Sequence, residues 1–215
     1  MRFSFSKWRI VIMLWAVAGV LGFLNYKDVL AHFKDPIDLN QAQINDLKKM
    51  DHVTMDVTAS LGSAVVEIST EKNKYTGKEV SSHESGRFYL VPVLEEDAEG
   101  MWIDRVFMIK VNSKGFAALD KATDEFFNWV DDENAEYPTE VLYSVDGRVE
   151  PMSQQHDDYL TEYLGELGLN RSVVGTYYIE PIMDTKFLFG MVGVAAVCFV
   201  IGLLIAIFWK KNKNI

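Results

Sequence analysis

Cysteine is almost missing from this chain of 215 residues: the single one, Cys198, lies inside an uncharged run. No intrachain disulfide can form, which excludes the stapled scaffolds of small secreted domains and leaves any folded part to be held by its own core. In a domain facing an oxidising compartment, that absence favours a bacterial surface over an animal secretory pathway. The Asn170-Arg171-Ser172 sequon is then only a chance pattern. The four histidines, His32, His52, His83 and His156, are too scattered for a zinc spacing, and no HExxH, GxSxG, P-loop or GxGxxG occurs. No Ser/Gly/Pro linker, repeat or low-complexity tract is present either. Positive charge is scarce in the middle of the chain. Six of the 21 Lys and Arg (Arg2, Lys7, Arg9, Lys210, Lys211, Lys213) lie at the two ends, leaving 15 against all 31 acidic residues, a formal charge of −16. This argues against nucleic acid or anionic headgroups as bulk electrostatic partners. Cationic partners, divalent ions or a basic wall polymer would be tolerated, although acidity also serves solubility alone.

What is abundant is apolar sequence. Phe187 to Trp209 is 23 residues without a charge, about 34 Å as a helix and enough to cross a hydrocarbon core of about 30 Å. A soluble helix of that length without a polar face would be unusual. Ile10 to Leu24 is a shorter uncharged run flanked by Trp8 and Tyr26, whose amphipathic rings suit an interface. A signal peptide competes here, because Ala16-Val17-Ala18 has the form of a cleavage site, but the apolar run continues for six residues beyond it. With basic residues at both ends and no acidic residue in either tail, the positive-inside rule places both termini in the cytoplasm. The expected organisation is a cytoplasmic tail (1–9), a first span (10–26), an extracytoplasmic α+β domain (27–186), a second span (187–209) and a second tail (210–215).

The central region has the length of one compact domain. Val29, Leu30 and Phe33 continue the first helix or form a short interfacial one, stopped at Asp35 by Pro36. Asp38, with Gln41 in capping-box position, predicts a short helix through Met50. Val53, Met55, Val57 and Ala59 alternate with polar residues as a strand does. Further strands are expected over Ala64–Thr70, Arg87–Leu94, with Pro92 marking an edge or bulge, and Trp102–Val111, whose Ile103, Phe107, Ile109 and Val111 share a side. Phe116, Leu119, Ala122, Phe126, Trp129 and Val130 recur at helical spacing after a cap at Ser113. Val141 to Val145 and Arg148 to Met152 read as a hairpin about Asp146-Gly147. Gln154 to Leu167 is a second amphipathic helix with Gly168 at C′, and Ser172 to Ile182 a last strand. The expected fold is α+β: a mostly antiparallel sheet or small barrel with two amphipathic helices, between two transmembrane helices.

Candidate chemistry is sparse. His156-Asp157-Asp158 is the densest polar cluster, but acidic residues are favoured in a first helical turn anyway. His83 and Glu84 lie in a polar stretch with nothing to orient them as a nucleophile and base. Asp131-Asp132-Glu133-Asn134-Ala135-Glu136 opposes a helix dipole yet lacks the Asp-x-Asp-x-Asp-Gly spacing of a calcium loop, so a solvated loop is the plainer reading. The aromatic stripe of the first amphipathic helix reads as core rather than as a ligand groove. No catalytic, cofactor-binding or metal-binding residue is assigned, and no cofactor is expected.

Val53-Thr-Met-Asp-Val-Thr-Ala-Ser-Leu-Gly62 and Ser85-Gly-Arg-Phe-Tyr-Leu-Val-Pro-Val93 resemble small two-span membrane proteins of Gram-positive bacteria, in which an uncharacterised β-rich domain lies between the spans. The resemblance covers residues 38 to 185. It implies an OB-like small-barrel core and supplies no functional residue. The expected function is that of a non-catalytic accessory, scaffold or sensor whose outer domain binds a protein or envelope partner. A polysaccharide chain-length regulator is the alternative, lacking here the coiled-coil heptads and proline-rich segment expected of one, and an envelope-acting hydrolase comes third. Cys198, Gly202 and Ala206, and Ala18 with Gly22, repeat every four residues, so the spans are expected to pack or self-associate through small-residue stripes.

Overall fold

The computed structural model describes residues 7–72, 74–97, 100–132 and 134–211. Arg2 and Lys213 of the basic tails, and Glu133 of the acidic loop, lie outside them. The chain divides into two compact units, the terminal segments (up to Phe33 and from Met183) and Lys34–Ile182.

The terminal unit is a pair of helices, α1 (Lys7–His32) and α4 (Thr185–Lys211), each long and apolar enough to cross a membrane. They pack on one another along a seam with alternating three- and four-residue steps. Val11, Leu14, Ala18, Leu21 and Asn25 form it on α1, and Leu188, Met191, Ala195, Cys198 and Gly202 on α4. This is the coiled-coil rhythm of shallow helix crossings. It takes in Ala18, Cys198 and Gly202 from the small-residue stripes but leaves Gly22 exposed, with no atom within 4 Å of a Cβ placed there. Gly202 sits under Trp15, whose Nε1 would lie 2.6 Å from a Cβ at that position. The Trp15 N–H donates to the Phe199 carbonyl (3.4 Å), and the two rings stack at 5.9 Å. The buried Asn25 is satisfied within its helix, its side chain donating to the Leu21 carbonyl at 2.7 Å. At the far end His32 Nε2 and Thr185 Oγ1 are 2.8 Å apart.

The second unit is α+β. Its strands are β1 (Ile37–Asp38), β2 (His52–Val57), β3 (Ser63–Lys72), β4 (Glu79–Asp97), β5 (Gly100–Val111), β6 (Tyr143–Pro151) and β7 (Val174–Pro181). They form one seven-stranded sheet in the order β1-β2-β6-β7-β5-β4-β3. The sheet is mixed: β1 pairs with β2 and β5 with β7 in parallel, and the other four pairings are antiparallel. A meander accounts for β3-β4-β5 alone, because β6 and β7 insert between β2 and β5. Side chains of β2 and β4, which have three strands between them in the sheet, share one buried cluster (Val53, Met55, Val57, Tyr89, Val91 with Phe107, Ile109 and Val149), and just after β2 the Leu61 N–H donates to the Leu90 carbonyl of β4 at 2.8 Å, so the sheet coils around the cluster. The opposite face carries a second cluster (Phe88, Leu90, Val106, Met108, Val174) covered by Leu160 and Leu164 of α3 (Gln154–Glu166). Leu119 and Ala122 of α2 (Phe116–Asp131) belong to the first cluster and Phe126 to the second.

Several local expectations give way to tertiary packing. Residues 38–50 hold only a single 3₁₀ turn, Ile44–Asp46: Asp38 ends β1 and the Leu39 N–H donates to the Thr54 carbonyl at 2.9 Å, which ties the segment to β2 while Leu39, Ala42 and Leu47 enter the first cluster. The buried Arg105 fixes this segment, donating from Nη2 to the Asn40 carbonyl at 2.6 Å. Asp146-Gly147 is no hairpin turn: β6 runs straight through it, with Gly147 opposite Val53 on one side and Pro181 on the other. A Cβ on Gly147 would lie 2.6 Å from Ile179 Cγ2 and 2.9 Å from the Glu180 carbonyl oxygen, so closeness of strands, not a turn, requires glycine. Ile103 joins the second cluster rather than the face of Phe107 and Ile109, because a bulge opposite Val93/Leu94 reverses the alternation. The cap of α2 is Gly115, not Ser113, and Val130 lies exposed off the packed face. Pro92 is accommodated because the β3 pairing ends at Tyr89, leaving that part of β4 with β5 alone. Gly168, at φ +70°, terminates α3 in the left-handed conformation.

Candidate functional site

Charged residues at alternate positions of a strand project from one face. Arg148 and Glu150 do so on β6, directly opposite Glu180 and Tyr178 of β7. Arg148 Nε donates to Glu150 at 3.0 Å and its Nη2 to Glu180 at 3.0 Å. Lys110 of β5 lies 3.8 Å from the other Glu180 oxygen and 2.9 Å from Glu67 of β3. The result is one chain of alternating charge across four strands. It runs from the interior, where the Glu150 side chain is 6 % exposed, to the sheet edge, where Glu67 is a third exposed. Gly86 makes room at the outer end, since a Cβ there would stand 3.3 Å from the Glu67 carboxylate and 3.4 Å from Lys110 Cε.

The edge opens on a groove of about 650 Å³ between β3 and the start of α3. Glu67, Ser69 and Ser85 line one wall, and Gln155, His156 and Tyr159 the other. Ser153 caps α3, its hydroxyl accepting from the His156 N–H at 3.2 Å, and so orients the first turn. The imidazole of His156 packs on Phe88 (4.7 Å between ring centres) and edge-on to Tyr178 (5.9 Å). Its Nδ1 is buried without a hydrogen-bond partner among the described residues. Burial holds the His156 pKa below the usual histidine value, Lys110 adds to that effect and Glu67 opposes it. Tyr178, beneath it, is pushed up to about 12, first by burial and then by Glu180 and Glu150. The ring is therefore a neutral group in an aromatic and charged setting.

The remaining sequence candidates do not converge. Asp157, next to His156 in sequence, turns to Arg171 (3.0 Å), while Asp158 is exposed. His83 lies opposite Ser69 on the β3–β4 hairpin, and Glu84 is taken up by Arg87 at 2.7 Å. In the acidic loop Asp132 accepts from the Asn134 backbone at 3.0 Å, an Asx turn rather than a cation cage. Among the described residues no three His, Cys, Asp or Glu side chains gather as metal ligands. Glu67, Lys110, Arg148, Glu150 and Glu180 drew no attention in the sequence. The signal was there in charges two apart within an apolar strand, Arg148-Val149-Glu150.

His156 supplies a pH test. The unfolded chain carries an ordinary imidazole, near 6.5, and the folded one a lower pKa. As pH falls through the unfolded value the unfolded state binds the proton first, so this residue's contribution to stability is complete above that value and declines below it. His156→Phe, which keeps a ring against Phe88 and Tyr178, is expected to lose less stability than wild type between about pH 7.5 and pH 5. Parallel denaturation profiles for the two proteins would refute the assignment.

Residues 2–209 match the family model of a domain of unknown function, DUF8577, and the chain belongs to that family. No curated protein and no solved structure matches it.

Proposed function

We propose that this member of the DUF8577 family is a two-span membrane protein. Both termini are cytoplasmic, and the Lys34–Ile182 domain, on the outer face, is a non-catalytic accessory or scaffold for a membrane or envelope protein. The observation that carries the reading is the free edge of the sheet. β3 is ten residues long, has β4 as its one partner strand among the described residues, and borders the His156 groove. Its Val66 and Ile68 are 44 % and 65 % exposed. Soluble domains normally shorten, cover or charge such an edge, whereas domains that recognise extended segments leave it open for an added strand. The basic residues beside both apolar helices support the orientation. The resemblance to two-span Gram-positive proteins supports the same organisation.

Two measurements test this. With Cys198→Ser as background, Asn134→Cys is expected to react with a membrane-impermeant thiol reagent in intact cells. Labelling only after lysis would reverse the orientation. A photoreactive residue at Ile68 is expected to give one discrete heteromeric adduct in native membranes, with none from the same residue at the exposed Val141. Equal adducts from both positions, or none from Ile68, would remove the edge as the docking site.

A further inference from the structure

The β3–β4 hairpin outruns the sheet. β5 pairs with β4 only as far as Arg87, so the chain from Ile68 to Ser85 is a two-stranded arm whose described residues are exposed. Residues 72–78 at its tip hold Lys72, Lys74 and Lys78 and no acidic residue. Tyr75 between them is 98 % exposed. Elsewhere the unit is strongly acidic: Lys34–Ile182 has 13 Lys and Arg against 29 Asp and Glu, −16 in all, and −19 once the three tip lysines are set aside. The three lysines, between Glu71 and Glu79, make the tip a local basic pole on an acidic domain.

The complement of that pole lies on the same domain. A second groove, of about 890 Å³, opens between the start of β5 and the end of α2, lined by Met101, Trp102, Ile103, Phe126, Trp129 and Val130. Met101, Trp102 and Val130 are all substantially exposed. Among the described residues Asp132 lines it and no Lys or Arg does; Asp131 precedes it on α2, and Glu136 lies with Trp129 and Ala135 in the adjoining depression. The site is apolar and aromatic with an acidic rim. A tyrosine set among lysines matches it in both respects.

The tip and this groove belong to opposite ends of one strand: the arm's tip precedes β4 and the groove's Met101 and Trp102 follow it, with the 19 residues of β4 between them, a contour of roughly 60 Å at about 3.3 Å per residue. We propose that the Tyr75 hairpin tip of one copy docks in the Trp102–Trp129 groove of the next. The contact is head to tail, using different patches on the two partners, so it propagates into a ring or a row of copies rather than closing as a two-fold dimer. Its contact residues, Tyr75 at the tip and Trp102 and Trp129 in the groove, differ from the Val66 and Ile68 that carry the partner-docking role, so a Tyr75–Val130 crosslink reads this contact and an Ile68 adduct reads the other.

The test uses the full chain in detergent micelles, with mass measured by light scattering across protein concentrations. Wild type is expected to self-associate at about 50 mM salt and to dissociate towards about 1 M, as charges with a shrinking screening length would. Lys72→Glu/Lys74→Glu/Lys78→Glu and Asp131→Lys/Asp132→Lys/Glu136→Lys each place like charges on both patches and are expected to weaken association at least tenfold. Mixed together they restore it, because the acidic tip of one fits the basic rim of the other. All six positions are at the surface, so loss of folding does not mimic the result, and a normal melt for each variant checks this. In a Cys198→Ser background, Tyr75→Cys with Val130→Cys is expected to give intermolecular disulfides that neither single cysteine gives in the same yield. The proposal is overturned if the reversed variants associate as wild type does, if the mixture stays dissociated, or if wild type is monomeric. Binding of monomeric wild type, but not of the tip variant, to phosphatidylglycerol vesicles would assign the tip to lipid instead.

Discussion

Val57→Asp is expected to abolish the cooperative melt of the Lys34–Ile182 unit under conditions where the wild-type chain is folded. Val57 is wholly buried, pairs with Tyr143 of β6, and lies where the coiled sheet brings β2 against β4. The cluster around it is aliphatic and aromatic, with Met55, Val91 and Leu119 as members. A carboxylate there loses the packing of the valine and finds no counter-ion in the cluster, at a cost of about 4 kcal/mol or more, comparable with much of a domain's total stability. Part of the damage should be reversible by acid. The introduced carboxyl has a raised pKa when folded, so the folded state holds the proton more tightly and the variant's deficit shrinks as pH falls towards the ordinary carboxylate range. Val57→Thr, nearly isosteric, serves as the mild control. An unaltered melt for Val57→Asp would mean that β2 presents its other face to the core.

The strand that carries Val57 was readable because its evidence is local. Val53, Met55 and Val57 alternate with His52, Thr54 and Asp56, and a one-sided burial needs no knowledge of the partner strand. The same holds for α2 and α3, whose buried Leu119, Ala122, Leu160 and Leu164 follow helical spacing, and for the two apolar helices.

What escaped the sequence was decided elsewhere in the chain. Gly147 carries the composition of a hairpin turn, but its conformation answers to Ile179 and Glu180, more than 30 residues away. Asp38 does act as a local cap, accepting from the Asn40 backbone at 3.0 Å, yet the helix it would start is given up because Asp38 and Leu39 pair with Thr54 of β2, a partner the local sequence does not show. The candidate site was hidden for the same reason. Glu67, Lys110, Arg148 and Glu180 are ordinary surface residues in one dimension; the β3-β4-β5 meander brings Glu67 to Lys110, and only the insertion of β6 and β7 beside β5 adds Glu180 and Arg148. His156 stood out for its acidic neighbours in sequence, whereas its surroundings in space are Phe88 and Tyr178.

Arg148→Met is expected to destabilise the same unit by about 3–5 kcal/mol, through the charges it strands rather than the contact it removes. The Arg148 side chain is about nine-tenths buried and bonds Glu150 and Glu180 on one face of the sheet. With the guanidinium gone, Glu150 keeps its burial without this partner, while Glu180 retains Lys110 at 3.8 Å, itself engaged more closely by Glu67. Glu150 is the more deeply buried of the two carboxylates, 6 % exposed against 27 % for Glu180, so the larger part of the deficit is expected there. This separates a stranded charge from a lost attraction: in Arg148→Met/Glu150→Leu the second substitution should restore most of the stability, and a double-mutant cycle should give a large coupling between the two positions. Lys110→Met, at the more exposed outer end, should cost distinctly less, because water reaches Glu67. Equal losses for Lys110→Met and Arg148→Met, or no recovery on adding Glu150→Leu, would show that the network is hydrated throughout and that its inner end is not the desolvated anchor of the β6–β7 pairing.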